Sequence, residues 1–275
     1  MKLNTITIGT RGSQLALWQT DWVKKRLSAL YPQITCEVKT VKTTGDKILD
    51  VPLAKIGDKG LFTKELDIAL LNGDIDLAVH SLKDLPTRLP EGIIIVAITE
   101  RWDPRDSLIS RHGVSFKNLP SGAVVATGSL RRRAQLLFHR PDLNIVELRG
   151  NLNTRFRKFE ENSWDAMILA TAGVERLGWS ERITEKISTD IILPAVGQGS
   201  FGVVCREGDA EVMNLLQPLN HSPSRLAALA ERSLMRTLEG GCQIPIGALA
   251  QVDSDQLVLT GCVASLDGKQ LVKDS

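Results

Sequence analysis

The fold is decided by the stretch Asp76-Leu77-Ala78-Val79-His80-Ser81-Leu82-Lys83-Asp84. A short apolar run of this kind predicts a strand buried in a parallel sheet. Polar residues follow at once, and ligands of open α/β sheets bind at the carboxyl ends of the strands. The stretch therefore predicts an α/β fold with Ser81, Lys83 and Asp84 at a candidate site.

A similar strand and turn stand at the start of the chain. Residues 5–9 read as a strand, and the turn that follows carries Arg11 and Ser13. A helix is predicted over residues 14–31, with apolar side chains at helical spacing. Such a turn can cradle an anion at the N-terminus of the helix, but a capped helix with a solvated arginine explains it equally well.

Three later strands, predicted over residues 122–126, 144–148 and 165–170, each run into a small polar turn and an arginine. In the first, Ser129 precedes a helix that begins with three arginines. Cations at a helix N-terminus are disfavoured by the dipole and by each other, so an anionic partner is expected there. The arginines that follow these strand ends are Arg131, Arg132, Arg133, Arg149, Arg155 and Arg176.

Composition limits the classes of function. The chain has 275 residues, a net charge of +2 and no apolar run of transmembrane length, so neither nucleic acid nor membrane is an expected partner. Its four cysteines and four histidines lack metal-ligand spacing, and no metal is expected. So few cysteines indicate a reducing, cytoplasmic location.

Another unusual segment is the loop of residues 240–247, where Cys242 follows two glycines and precedes a Gln-Ile-Pro turn. Glycines allow close approach to a bulky partner, and the proline stiffens the loop. By itself the segment fits a turn with a buried thiol at least as well as a site.

The candidate residues share a positive charge, with Asp84 the one carboxylate among them. So many cations in one cleft between two lobes require a polyanionic ligand. Phosphate is less suitable, because no P-loop and no carboxylate set for Mg²⁺ occur. A ligand with many carboxylates is the better fit. The cations are Arg11, Lys55, Lys59, Lys83, Arg131, Arg132, Arg149, Arg155 and Arg176.

Seven motifs in order carry a resemblance to a known family. They are Thr10-Arg11-Gly12-Ser13, Pro52-Leu53-Ala54-Lys55-Ile56-Gly57, Ala78-Val79-His80-Ser81-Leu82-Lys83-Asp84, Ser129-Leu130-Arg131-Arg132, Leu148-Arg149-Gly150-Asn151, Leu193-Pro194-Ala195-Val196-Gly197-Gln198-Gly199 and Glu239-Gly240-Gly241-Cys242-Gln243-Ile244-Pro245-Ile246-Gly247. The chain closely resembles the porphobilinogen deaminases, also called hydroxymethylbilane synthases.

The resemblance implies an α/β fold of two periplasmic-binding-protein-like lobes, with mixed sheets and a central cleft, plus a small third α/β domain. We expect residues 1–99 with 200–217 in the first domain and 104–193 in the second. Residues 222–275 form the third, which is expected to be short at its C-terminus because relatives continue beyond Ser275.

The resemblance also implies the activity. Four porphobilinogens are condensed head to tail into hydroxymethylbilane, an intermediate of heme and other tetrapyrroles, and one ammonia leaves at each addition. A dipyrromethane cofactor, one per chain, is bound to Cys242 through a thioether. The enzyme is expected to be a cytoplasmic monomer, with porphobilinogen as its small-molecule partner.

The resemblance assigns roles to individual residues. Asp84 matches the catalytic aspartate. Lys83, Ser129, Arg131 and Arg132 would bind the cofactor beside Cys242. Lys55 and Lys59 match a loop over the cleft. Arg11, Ser13, Arg149, Arg155 and Arg176 would bind substrate carboxylates.

Gly128 departs from the family pattern, where a second serine is frequent, and a hydroxyl contact is expected to be lost there.

A reversible anion-binding protein is the rival hypothesis. It uses the same two-lobed cleft but needs neither chemistry nor Cys242, and it leaves no covalent adduct.

Overall fold

The computed structural model describes residues 4–43, 63–238 and 244–275, which form a mixed α/β protein. Its strands make two sheets of five strands and one sheet of three. Contacts divide the chain into two compact units. The first takes in the described residues up to Arg101 together with residues 200–226. The second takes in residues 102–199 and the described residues from Ala227 onward. The expected α/β class with mixed sheets is confirmed, whereas the three-domain division stays a prediction.

The first unit contains five strands and three complete helices among the described residues. They are β1 (Thr5–Thr10), α1 (Gln14–Leu30), β2 (Thr35–Thr40), α2 (Lys64–Leu71), β3 (Leu77–Ser81), β4 (Ile93–Ile98), β10 (Phe201–Arg206) and α6 (Ala210–Leu216).

The sheet of the first unit has the order β2-β1-β3-β10-β4. Strand β3 is buried, as expected, and β1 runs parallel to it. The expectation of a parallel sheet was wrong for its other neighbour, because β10 runs antiparallel to both β3 and β4. The apolar run of β3 signals burial on both faces, and burial does not determine the direction of a neighbour that is distant in sequence.

Helix α1 covers one face of this sheet. Its N-cap is Ser13, whose hydroxyl accepts a hydrogen bond from the Ala16 amide at 3.3 Å. The buried side chains of the helix recur every three or four residues and pack on Phe201 and the β1 core. Trp18 and Trp22 add edge-to-face contacts with the Phe201 ring, at centroid distances of 6.3 and 5.6 Å.

The second unit repeats this sheet arrangement in the order β7-β6-β8-β5-β9. Strands β6, β7 and β8 run parallel, and β5 is antiparallel to β8 and β9. The elements are β5 (Asp106–Ser110), β6 (Val124–Ala126), α3 (Leu130–His139), β7 (Asn144–Val146), α4 (Leu152–Glu161), β8 (Ala166–Ala170), α5 (Thr171–Arg176) and β9 (Glu185–Lys186).

The C-terminal part adds helix α7 (Ser222–Thr237) and the antiparallel strands β11 (Ile246–Asp253), β12 (Gln256–Ala264) and β13 (Leu271–Asp274). The dipeptide Asp267-Gly268 is a strong hairpin signal in the sequence, and it does connect the antiparallel strands β12 and β13, with Gly268 at φ +72°. The sequence does not predict strand β11, because Ile246 and Gly247 end a stretch with several glycines and a proline. Gly247 packs so closely on Leu193 that a Cβ would lie 2.8 Å from its carbonyl oxygen.

No helix in the described part of the chain is long and apolar enough to span a lipid bilayer.

The buried His80 on β3 predicts a pH dependence of stability. Burial, with a smaller effect of the Arg11 charge, lowers the pKa of His80 from 6.5 to about 4. Below pH 6.5, His80 therefore becomes protonated in the unfolded chain but stays neutral in the folded chain until the pH approaches 4. We expect the free energy of unfolding to fall by up to about 3 kcal/mol between these two pH values.

The measurement is urea unfolding of the wild type and His80→Gln between pH 7 and pH 4. The variant should show a shallower loss of stability over this range. Equal losses in the two proteins would contradict the assignment of a buried neutral histidine.

Candidate active site

The first unit brings four predicted residues to one sheet edge. Arg11 and Ser13 follow β1, and Lys83 and Asp84 follow β3. Because β1 and β3 are parallel neighbours, their carboxyl ends lie at the same edge. The Gln19 side chain of α1 donates a hydrogen bond to the Ser81 hydroxyl at 2.9 Å and so ties the helix to this edge.

Asp84 ends a short 3₁₀ turn, Leu82–Asp84, directly after β3. Leu82 and Leu85 are buried on either side of it, which anchors the turn, while the Asp84 side chain is exposed. Within the described residues its carboxylate has no ion-pair partner. Asp84 is thus held on a fixed backbone with its carboxylate accessible, and its catalytic role stays a prediction.

The second unit delivers a matching set of residues to its own sheet edge. Strands β7, β6 and β8 are parallel neighbours, so the turns that follow them are adjacent. These turns carry Ser129, Arg149 and, through α5, Arg176. The Ser129 hydroxyl caps α3 by accepting a hydrogen bond from the Arg132 amide at 3.4 Å.

Arg131 and Arg132 are buried and share one protein carboxylate. The Asp106 oxygens accept hydrogen bonds from Nη2 of Arg131 at 2.8 Å and Nη2 of Arg132 at 2.7 Å. Asp106 is fully buried, and the two guanidinium charges hold its pKa well below the ordinary value despite the opposing effect of burial.

Part of the negative charge expected at the start of α3 is therefore supplied by the protein itself, through the Asp106 carboxylate. The interpretation of Asp84 as the one carboxylate among the cations was wrong, since Asp106 lies between two of them. The pairing was invisible in the sequence because Asp106 is separated from the arginines by more than 20 residues.

Other hydrogen bonds fix this cluster in place. Nη1 of Arg131 donates to the Leu193 carbonyl at 2.6 Å, and Nη1 of Arg132 donates to the Ile168 carbonyl at 3.1 Å. The buried Gln198 amide donates to Asp106 at 2.9 Å and to the Pro104 carbonyl at 2.7 Å. Nε of Arg132 is buried and has no hydrogen-bond partner among the described residues.

Arg176 is a second buried cation. Its guanidinium carbon lies 5.0 Å from the centre of the Trp102 ring, and Nη2 donates to the Gly199 carbonyl. Burial lowers the pKa of Arg176 to about 9, which leaves the side chain charged at neutral pH.

Arg149 and Arg155 are partly buried beside the turn after β7. Nε of Arg149 donates to Oε1 of Glu147 at 3.1 Å, and Nε of Arg155 donates to the Gly150 carbonyl at 2.8 Å. Glu147 and Gln198 were not among the predicted residues. The signal for Glu147 is its position two residues before Arg149, which puts both side chains on the same side of an extended chain.

The close packing around position 128 explains why a glycine stands there. A Cβ at this position would lie 2.6 Å from the Leu148 carbonyl oxygen and 3.0 Å from Oε1 of Glu147. The turn after β6 thus packs directly on the turn after β7, where a serine at position 128 would not fit without movement.

Three predicted residues, Lys55, Lys59 and Cys242, lie outside the described residues. Among residues 4–43, 63–238 and 244–275, no cluster of three His, Cys, Asp or Glu side chains is arranged to hold a metal ion.

Solved structures with similar folds include periplasmic binding proteins. One is the aliphatic sulphonate binding protein SsuA of Escherichia coli, at 16% identity and a TM-score of 0.45, covering 86% of this chain and 71% of that one. Another is a TRAP solute binding protein of Desulfovibrio salexigens, at 10% identity and a TM-score of 0.46, covering 86% and 78%.

Sequence comparisons reach much higher identity. A relative named porphobilinogen deaminase from Chloroherpeton thalassium is 58% identical over 98% of this chain and 86% of its own length. Another of the same name, from Geobacter sulfurreducens, is 54% identical over 100% of this chain and 86% of its own.

Two family models also match. Residues 6–214 match the porphobilinogen deaminase dipyromethane cofactor binding domain, and residues 225–275 match the porphobilinogen deaminase C-terminal domain. Because these matches cover nearly all of its length, the chain belongs to the porphobilinogen deaminase family.

Proposed function

We propose that this protein is a porphobilinogen deaminase that joins four porphobilinogens head to tail into hydroxymethylbilane, in tetrapyrrole biosynthesis. Each addition releases one ammonia, and hydrolysis by one water frees the finished hydroxymethylbilane from the cofactor. Its support is the full-length family match, together with one geometric observation: arginines follow three neighbouring parallel strands of the second unit. Each porphobilinogen carries an acetate and a propionate, so the growing chain is a polyanion of the kind these arginines require.

The buried charges of the second unit fit a carboxylate-bearing cofactor. Arg131 and Arg132 bring two positive charges into the interior, and Asp106 balances one of them. Burial of a net charge is costly unless another partner is supplied. In the part of the chain that the structure describes, Nε of Arg132 is a buried donor without a partner, at which a ligand oxygen would be stabilised.

Within this proposal, Cys242 holds dipyrromethane by a thioether, and Lys83, Ser129, Arg131 and Arg132 bind its carboxylates. When bound, the cofactor supplies the free α-carbon to which the first pyrrole is joined. Arg11, Ser13, Arg149, Arg155 and Arg176 bind the acetate and propionate groups of the incoming substrate.

Asp84 acts on the reacting pyrrole. When the C–N bond of the aminomethyl arm breaks, ammonia leaves and the positive charge spreads to the pyrrole nitrogen. A carboxylate that accepts a hydrogen bond from the pyrrole N–H stabilises this charge as it forms. In its protonated form the same group gives its proton to the departing amine, and it is then left as the carboxylate that stabilises the cation. After the new C–C bond has formed, the Asp84 carboxylate takes up the α-proton, which restores the aromatic ring and returns Asp84 to its protonated form.

We further propose that the enzyme is a cytoplasmic monomer that binds neither nucleic acid nor membranes. The low net charge of +2 supports this, because nucleic-acid sites generally collect far more positive charge. The three cysteines among the described residues are all buried free thiols, in keeping with a reducing compartment.

Replacement of Asp84 tests the function and the catalytic assignment together. The wild type should release one ammonia for every porphobilinogen consumed. Asp84→Asn should bind porphobilinogen with little change but turn over about 10²- to 10³-fold more slowly, because the developing cation loses its counter-charge. The measurement follows both compounds over time, with Asp21→Asn as the control, since Asp21 pairs with Lys25 on the surface.

Return of unchanged porphobilinogen by the wild type would favour the rival binding protein. Near-normal turnover in Asp84→Asn would remove Asp84 from its role.

Replacement of Asp106 tests the buried charge cluster. Asp106→Asn leaves two buried cations without a carboxylate, and we expect a loss of about 3–5 kcal/mol in the free energy of unfolding. Because the pKa of Asp106 is lowered in the folded state, its contribution is present near neutral pH and is lost as the solution is acidified below about pH 4. The variant should therefore lose less stability than the wild type on acidification.

The measurement is denaturant unfolding of cofactor-free protein, with Asp142→Asn as the control, since Asp142 pairs with Arg140 at the surface. Equal destabilisation by the two substitutions would contradict the structural importance of the Asp106 cluster.

A further inference from the structure

The contact between Glu147 and Arg149 differs from the surface ion pairs of the same unit. The Arg149 side chain is only 12% exposed, whereas that of Glu147 is 55% exposed. In the Arg157–Glu161 pair on α4, both side chains are more than half exposed. Glu147 therefore brings a solvated carboxylate against an arginine that is largely enclosed.

Gly128 lies next to the Glu147 carboxylate that contacts Arg149. A Cβ there would lie 3.0 Å from the Glu147 Oε1 atom that accepts the Arg149 hydrogen bond. The φ of Gly128 is outside the left-handed region, so its backbone suits any residue type. The missing side chain is thus required for space, and the space is occupied by the Glu147 carboxylate and the Leu148 carbonyl.

We propose that Glu147 is a positioning residue for Arg149, and that Gly128 provides the room for it. A guanidinium is planar, so a hydrogen bond to Nε fixes the plane in which the Nη donors lie. Because the Glu147 carboxylate stays more than half exposed, its contact with Arg149 contributes little to stability, and its main effect is on the orientation of the guanidinium. A preoriented Arg149 binds a substrate carboxylate without first losing side-chain freedom.

This inference rests on the proposed function, in which Arg149 binds an acetate or propionate of porphobilinogen. Its chemistry is limited to binding: Glu147 touches neither substrate nor cofactor and acts through Arg149.

The test uses steady-state kinetics of the cofactor-loaded enzyme with porphobilinogen. Glu147→Ala should raise KM about three- to tenfold while kcat and the melting temperature change little, because the lost contact is one partly exposed hydrogen bond. Glu147→Gln retains an oxygen acceptor and should restore most of the affinity. The matched control Glu161→Ala removes an exposed pair on α4 and should leave KM unchanged.

A double-mutant cycle separates this inference from the proposed function. In the Arg149→Ala background, Glu147→Ala should have no further effect on KM. If Arg149→Ala itself leaves KM unchanged, the assignment of Arg149 as a substrate ligand fails. If Arg149→Ala raises KM but Glu147→Ala does not, or acts equally in both backgrounds, the positioning role alone is overturned.

A measurement without substrate completes the test. The NMR signal of the Arg149 Nε–H should shift in Glu147→Ala and stay in place in Glu161→Ala. An unshifted signal in Glu147→Ala would overturn the proposed contact in solution.

Discussion

The buried carboxylate of Asp106 allows the second unit to hold two arginine side chains in its interior. Arg131 and Arg132 begin α3, where the helix dipole disfavours cations, and both are largely withdrawn from water. The two hydrogen bonds to Asp106 make that position tolerable. Gln198 binds the same carboxylate, so the segment near residue 198 is held against β5 by the same cluster.

The cluster also leaves a charge to be balanced. Within the described residues, the guanidinium groups of Arg131 and Arg132 face one carboxylate, that of Asp106. Uncompensated cations in an interior are costly, and a protein tolerates them where a ligand supplies the missing negative charge. A chain of pyrroles with two carboxylates per ring supplies many such charges. In the proposed function, the carboxylates of the substrate balance this excess of arginine.

Local patterns predicted much of this arrangement. The apolar run of β3, the helical spacing of α1 and the polar turns after β6, β7 and β8 are all short-range signals, and the structure has these elements where the patterns placed them. The hairpin at Gly268 follows from its turn chemistry. Asp84 was singled out because it directly follows a buried strand.

The remainder depends on contacts between distant residues. Three such contacts are the antiparallel pairing of β10 with β3, the ion pairs of Asp106 with α3, and the packing of Gly128 on Leu148. Each joins two segments that no local sequence pattern relates to one another. Strand β11 is not predicted because its first residues belong to a stretch of sequence with several glycines and a proline, and its pairing with β12 becomes evident only in the sheet. The family resemblance supplied the roles of Cys242 and Asp84, which spacing and charge had left open.

The central claim is that the arginine-rich unit serves a polycarboxylate held covalently on Cys242. The most direct test is the intact mass of freshly purified, active protein under denaturing conditions, measured beside Cys242→Ser. The account predicts a wild-type mass above that of the sequence by one dipyrromethane, and a Cys242→Ser mass equal to the bare chain. An active wild-type protein with the mass of the bare chain would contradict it.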